Sequence, residues 1–212
     1  MLRRNVSLKF FLAIALWLGA VVAGFAVLVR YQSGSSALAT SPAVFPSDRS
    51  GLLDPKLPTL ILCAHPHCPC TRATLDELDR VAARCAGEVR IRVLFTSAPE
   101  LGEAWVHTDL WEKAARIPGV DVRADAGGAL AHSLGARVSG EALLYSTTGR
   151  LLFHGGITSA RGHAGDNAGE EAVVALATGR AASCTNTPIF GCRLVGAEDD
   201  GAENDGERKA VP

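Results

Sequence analysis

The chain has 212 residues, with 21 Lys and Arg set against 22 Asp and Glu, a formal net charge of −1. The absence of a basic excess excludes nucleic acid as an expected partner. Six cysteines are too few for a disulfide-dense mini-scaffold, and the length, less a membrane segment and tails, suits one folded domain.

The amino end is basic, with Arg3, Arg4 and Lys9, and residues 10–29 are uncharged and almost wholly apolar, closed by Arg30 and Tyr31. At helical rise such a run crosses a bilayer core. Positive charge is denser before it than just after it. Residues 1–9 are therefore expected in the cytoplasm, residues 10–30 as a single-pass transmembrane anchor in the inner or cell membrane, and the remainder on the periplasmic or extracytoplasmic side. The apolar run is longer than that of a secretory signal, which favours an uncleaved signal-anchor; Ala37-Leu38-Ala39 is the alternative cleavage site. Residues 31–56, rich in Ser, Ala and Pro, read as a flexible linker with a reach of about 25–30 Å.

A domain over 57–194 follows. Residues 57–63 form a short apolar run that suits a buried strand. Leu75, Leu78, Val81 and Ala82 then recur at helical spacing, with Asp76, Glu77, Asp79 and Arg80 on the opposite side. A second strand is predicted over 89–96. A helix over 101–117 carries Trp105 and Trp111, a short third strand starts at Val120, and one or two helical turns cover 129–134. Residues 142–146 and 151–154 flank a turn at Gly149 and form a hairpin. A last helix over 170–178 has Asp166 or Asn167 as its N-cap. The order β-α-β-α-β-α-β-β-α implies an α/β domain with a mainly parallel sheet and an antiparallel hairpin at its edge. Residues 195–212, acidic and poor in large apolar groups, are expected to be a disordered tail.

The densest chemistry lies between the first strand and the first helix of this domain, in Cys63-Ala-His65-Pro66-His67-Cys68-Pro69-Cys70. Groups at that junction sit at a strand's carboxyl end and a helix's amino end, where partial positive charge favours a thiolate. Proline suits a first helical position, which places Cys68 near the N-cap. Thiol–disulfide exchange needs a thiolate and a second thiol within reach. Cys68 is the candidate nucleophile, Cys70 the resolver, and His67, if protonated, would lower the Cys68 pKa. Positions i and i+2 diverge on a regular helix, so a Cys68–Cys70 bond requires a non-helical turn and would be strained. The same residues allow a metal reading, with Cys68, Cys70, His65 and His67 as ligands to copper or zinc. His65 and His67 could equally do no more than line a loop. Cys63 and Cys85 read as apolar filler. Cys184 and Cys192 bracket a loop beyond the last helix and most simply form a structural disulfide; a second thiol relay folded over Cys68 is the alternative. Glu141, Arg161 and His163 are candidate cleft residues, with turn and capping roles as the alternative.

Pro58-Thr-Leu-Ile-Leu62 leading into the cysteine pair, and Asp125 through Leu134-Gly135, Leu143-Leu-Tyr145 and Gly149-Arg-Leu151, resemble the thioredoxin superfamily, on the membrane-anchored TlpA/ResA/peroxiredoxin-like branch. The segments Gly155 to His163 and Thr187 to Cys192 resemble a smaller RedB-like group within it. The resemblance implies a thioredoxin-like fold with a central mixed sheet. It also implies a redox-active centre without an organic cofactor, and thiol or disulfide proteins outside the cytoplasm as partners. The chain departs from the family in having Cys-x-Cys for Cys-x-x-Cys, in placing Gly140 or Glu141 where the family has a cis-proline, and in lacking an acidic residue on the first strand. A copper- or zinc-handling role like that of SCO-type thioredoxin folds, with His154 or His163 as a distant ligand, is the second reading. A non-catalytic interaction domain is the third.

Overall fold

The computed structural model describes residues 2–36, 40–194 and 196. The expected acidic tail, 195–212, lies outside the described residues apart from Gly196, as does the Ala37–Ala39 candidate cleavage site. Helix α1 (Leu2–Ser33) opens the chain, and its stretch Leu8–Ser33 is long and apolar enough to cross a membrane. Its large side chains, among them Phe11, Leu16, Trp17 and Phe25, are exposed, as a lipid-facing surface would be.

The domain is built on five strands: β1 (Thr59–Ala64), β2 (Arg90–Ser97), β3 (Val120–Ala126), β4 (Glu141–Tyr145) and β5 (Leu151–Gly156). They lie in the order β3-β2-β1-β4-β5. β1, β2 and β3 run parallel, while β4 is antiparallel to β1 and β5 to β4. The inner set β2-β1-β4-β5 is the thioredoxin-like arrangement, and β3 extends its parallel side. Every residue of central β1 is buried, as a strand covered on both faces requires.

Alternation along β1 divides the core. Leu60, Leu62 and Ala64 face one layer, with α2 (Thr71–Arg84), α3 (Glu103–Val106), α4 (Asp109–Ala115) and α6 (Ala168–Ala177). Ile61 and Cys63 face the other, with α5 (Ala129–Ser133), Phe45 and Leu194. Leu75, Leu78 and Val81 on α2 are fully buried, as their spacing predicts. Glu77 departs from its expected polar face: it is buried, accepting the Gly165 N–H at 2.5 Å. Asn167 is the N-cap of α6, accepting the Glu170 N–H at 2.9 Å. The helix expected over 101–117 breaks into α3 and α4. Thr108 lies extended at the join, its hydroxyl donating to the Pro66 carbonyl at 3.0 Å.

Of the segment expected to be a flexible linker, 31–56, the described residues are largely structured. Its first residues end α1, and residues 40–54 lie against the domain. Phe45 is buried edge-on against Tyr145 at 4.9 Å, its N–H donates to Gly149 O at 2.7 Å, and Leu151 N–H donates to Ala43 O at 2.9 Å. Phe45, Leu52 and Leu53 supply apolar contacts that the Ser/Pro-rich composition obscures; packing them on the second core layer offsets the entropy of ordering the segment.

Candidate functional site: a three-thiol cluster at a strand-to-helix junction

β1 ends at Ala64, and the loop that follows turns tightly into α2. Cys68 N–H donates to His65 O at 3.2 Å, Thr71 N–H to Cys68 O at 3.1 Å, and Thr74 N–H to Cys70 O at 3.3 Å. Cys70 occupies the cap position of α2 with helical backbone angles, φ −68° and ψ −27°. The helix starts two residues later than Pro69 at N1 would have it: Thr71 is the first helical residue, and Pro69 and Cys68 precede the cap.

Ser139, just before β4, ties this loop to two other parts of the chain. Its hydroxyl accepts the His65 N–H at 2.9 Å and meets the Thr71 hydroxyl at 2.7 Å. Its own N–H donates to Cys192 O at 2.8 Å. Gly140 follows with φ +92°, a value that favours glycine, and its N–H donates to Cys63 O at 2.8 Å. The position that carries cis-proline in the resembled family is thus a trans Ser-Gly step, and the chain's own carboxyl-terminal segment pairs with it.

That segment, residues 185–194, forms a strap. Thr185 O accepts the His154 N–H at 3.0 Å, Thr187 Oγ1 donates to Gly156 O at 2.7 Å, Arg193 bridges Val138, and Leu194 N–H donates to Arg137 O at 2.9 Å. Ile189 and Leu194 anchor it in the interior. Glycine is needed where it crosses: a Cβ on Gly155 would overlap Thr187, and one on Gly191 would overlap Ser139 O.

The strap places Cys192 on Cys68. None of the six cysteines is in a disulfide. Cys68 is 1% exposed, whereas Cys70 and Cys192 are half-buried. Burial is the largest influence on Cys68 and pushes its thiol up. Donation from the Cys192 thiol and N–H, the Cys70 N–H and the Thr71 hydroxyl outweighs it, and Cys68 is held below the usual thiol value. The neighbours move the other way. Burial, then the negative charge and hydrogen bond of Cys68, raise Cys70 against the opposing Arg161 guanidinium. The same influences push Cys192 up to about 12. Cys68 is thus the most readily ionised of the three thiols, and Cys70 and Cys192 beside it hold their protons more tightly than usual. Arg161 beside them donates from Nη1 to Gly191 O at 2.7 Å.

Several expected site residues stand elsewhere or act differently. Cys68 is covered rather than exposed, because the strap lies over it. His67 does not tune it: its Nε2 is 2.9 Å from Trp105 O, and its ring lies 4.8 Å from that indole. His65 packs edge-on to the same Trp105 at 5.5 Å, with burial lowering its pKa. The two imidazoles therefore do not join the two thiols as the metal reading requires. Among the described residues no group of three or more His, Cys, Asp or Glu side chains is arranged to hold a metal ion. The distant-ligand candidates are also occupied differently. His154 is buried against Glu141 at 2.5 Å, and exposed His163 is 2.8 Å from Arg161 O.

Glu141 does not face a cleft or solvent. It is 1% exposed, and its second oxygen accepts the Arg137 and Val138 N–H groups, which fixes the chain leading to Ser139. The Cys184–Cys192 bridge is not formed. Cys184 packs on the first core layer with its sulfur toward Ala168 O, while Cys192 is spent on Cys68. Thr71, Ser139 and Trp105 are site residues that sequence reasoning missed. Thr71 alone carried a signal, as a hydroxyl at the first helical position after Cys70.

No protein-family model matches the sequence, and none of the curated proteins compared with it is similar to it. Solved structures do resemble it. A hypothetical protein from Sinorhizobium meliloti 1021 superposes with a TM-score of 0.54 at 23% identity, over 77% of this chain and 97% of its own. An uncharacterized conserved protein from Geobacillus kaustophilus does so with a TM-score of 0.57 at 16% identity, over 77% and 92%. A putative thiol:disulfide interchange protein DsbE from Chlorobium tepidum is more distant, with a TM-score of 0.41 at 16% identity over 68% and 98%. At these identities the first two likenesses bear on fold alone, and nothing is drawn from the third. Fold and site together define a thioredoxin-like α/β domain, preceded by an apolar helix and carrying a cluster of three free thiols.

Proposed function

We propose that the protein is a membrane-anchored thiol–disulfide oxidoreductase whose domain lies outside the cytoplasm. The observation that supports this is the cluster itself. A thiol held below its usual pKa, with two further thiols beside it, has the parts of a two-electron dithiol/disulfide couple. A buried filler cysteine has its pKa raised and has no sulfur neighbour, as Cys63 shows, being pushed well up by burial. The basic amino end followed by the apolar span supports a cytoplasmic start for α1. The partners are then other extracytoplasmic thiol proteins and an upstream electron carrier.

The full chain in detergent micelles, given oxidised glutathione or a model protein disulfide, should exchange thiols for disulfides. Complete turnover of the model protein disulfide, as distinct from formation of a mixed disulfide, should fall at least about a hundredfold in Cys68→Ser, since the thiol that resolves the mixed disulfide is lost. A wild-type rate no higher than that of Cys68→Ser would exclude this function.

A further inference from the structure

Resting on that reading, we propose that Cys192 is the sulfur at which partners exchange, and that buried Cys68 is the resolving and leaving thiol beneath it. Access comes first. Exchange is a displacement at sulfur, and the attacking thiolate must reach the atom it attacks. Cys68 is 1% exposed, while Cys192 on the strap is only half-buried. The strap holds this arrangement. The Cys192 carbonyl is fixed by Ser139 N–H at 2.8 Å, the preceding Gly191 carbonyl by Arg161 at 2.7 Å, and Leu194 N–H by Arg137 O at 2.9 Å.

Pairing partner comes second. Cys68 and Cys70 lie two residues apart on a turn already running into α2, with Thr71 N–H on Cys68 O and Thr74 N–H on Cys70 O. Joining them would require that turn to open. Cys192 approaches from a different segment and bears no such constraint.

The chemistry then assigns the roles. In the oxidised protein, with a Cys68–Cys192 bond, a partner thiolate attacks the Cys192 sulfur. The sulfur–sulfur bond breaks, and its electron pair leaves on Cys68, the thiolate that the site stabilises; a low leaving-group pKa speeds this step. A mixed disulfide joins Cys192 to the partner. The partner's second thiol gives its proton to solvent and attacks its own bonded sulfur. Cys192 leaves and takes a proton. The partner dithiol has lost two electrons and become a disulfide, and the protein has become one thiolate and one thiol. Reduction of a partner disulfide runs through the same mixed disulfide in reverse.

The full chain in detergent, oxidised with glutathione disulfide, is digested with trypsin and its linked peptides identified. A Cys68–Cys192 linkage is expected. In a Cys70→Ser background, Cys68→Ser should accumulate glutathione on Cys192, at least about tenfold faster than Cys192→Ser accumulates it on Cys68. A Cys68–Cys70 linkage in the wild type, or equal or faster loading of Cys68, overturns the assignment while leaving thiol–disulfide exchange standing. Failure of the wild type to exchange at all overturns both. The wild-type linkage needs no variant, so it decides even where a substitution unfolds the domain.

Discussion

The Cys68 sulfur is buried and yet its pKa is held below the usual thiol value, two conditions that ordinarily oppose one another. Desolvation favours the neutral thiol, and the nearest donors reverse it. Substitutions should therefore move two thiols in opposite directions. Cys192→Ala removes a donor to Cys68, so Cys68 should titrate higher. Cys68→Ser removes the anion beside Cys192, so Cys192 should fall from about 12 toward the ordinary thiol range. Thiolate ultraviolet absorbance followed across pH measures both, and shifts of the same sign would contradict the cluster. Because its pKa is lowered, the Cys68 thiolate forms at lower pH than an ordinary thiol's and is lost as pH falls through that lowered value. Steps that need the Cys68 thiolate should slow on the acid side, and this acid limb should shift upward in Cys192→Ala. At this scale the sequence revealed the nucleophilic centre through the Pro-flanked cysteines at a helix start. It misplaced the histidines, because adjacency in sequence says nothing of which way a ring turns. Trp105, on α3, draws His67 and His65 to itself.

The strap is the element that turns a cysteine pair into a cluster. It was not legible. Thr187 to Gly191 has neither strand nor helix periodicity, and its contacts lie with residues 137–139 and 154–156, distant in sequence. What was visible, Cys184 and Cys192 around a short loop, suggested a local bridge; the pairing is instead long-range. The glycines that admit the strap are also ordinary in sequence and become meaningful only against Thr187 and Ser139 O. By contrast, the strands, α2 and α6 were legible, because alternation, helical spacing and an N-cap Asn are local signals. Gly191→Ala should push the strap off Ser139. The expected cost is about 1–3 kcal/mol of stability from overpacking, together with greater exposure of Cys68 to small alkylating reagents. Gly51→Ala, where an added Cβ meets open space, should do neither. Denaturant unfolding and mass-spectrometric labelling read the two effects. Unchanged Cys68 labelling in Gly191→Ala would remove the strap from the account of its burial.

At the scale of the whole molecule, the cluster lies close to the end of α1. The Arg161 guanidinium stands 5.5 Å over the Tyr31 ring, and Arg161 N–H donates to Gln32 O at 3.2 Å. A few residues on, Ser36 N–H donates to Ile189 O at 2.9 Å, joining the anchor's exit to the strap itself. Arg30 and Tyr31 are the kind of residues that mark a membrane–water boundary. An anchored protein would therefore carry its thiols near the bilayer surface, on a domain held there by direct contacts instead of a long tether. Polymer-linked maleimides are too bulky to approach a site flanked by lipid, whereas N-ethylmaleimide is not. In native membranes Cys70 and Cys192 should react with the small reagent at the rate seen in detergent. Their reaction with a large polymer reagent should be several-fold slower in membranes than for the same chain extracted into a short-chain detergent. Tyr31→Ala, which gives up a cation–π contact worth about 0.5–1 kcal/mol at an exposed site, should narrow that difference by loosening the domain from the helix end. A ratio of polymer to small-reagent rates that is identical in membrane and detergent would place the thiols away from the bilayer and direct the search for partners to soluble proteins. A depressed ratio restored by Tyr31→Ala would direct it to proteins whose own thiols lie at the membrane surface.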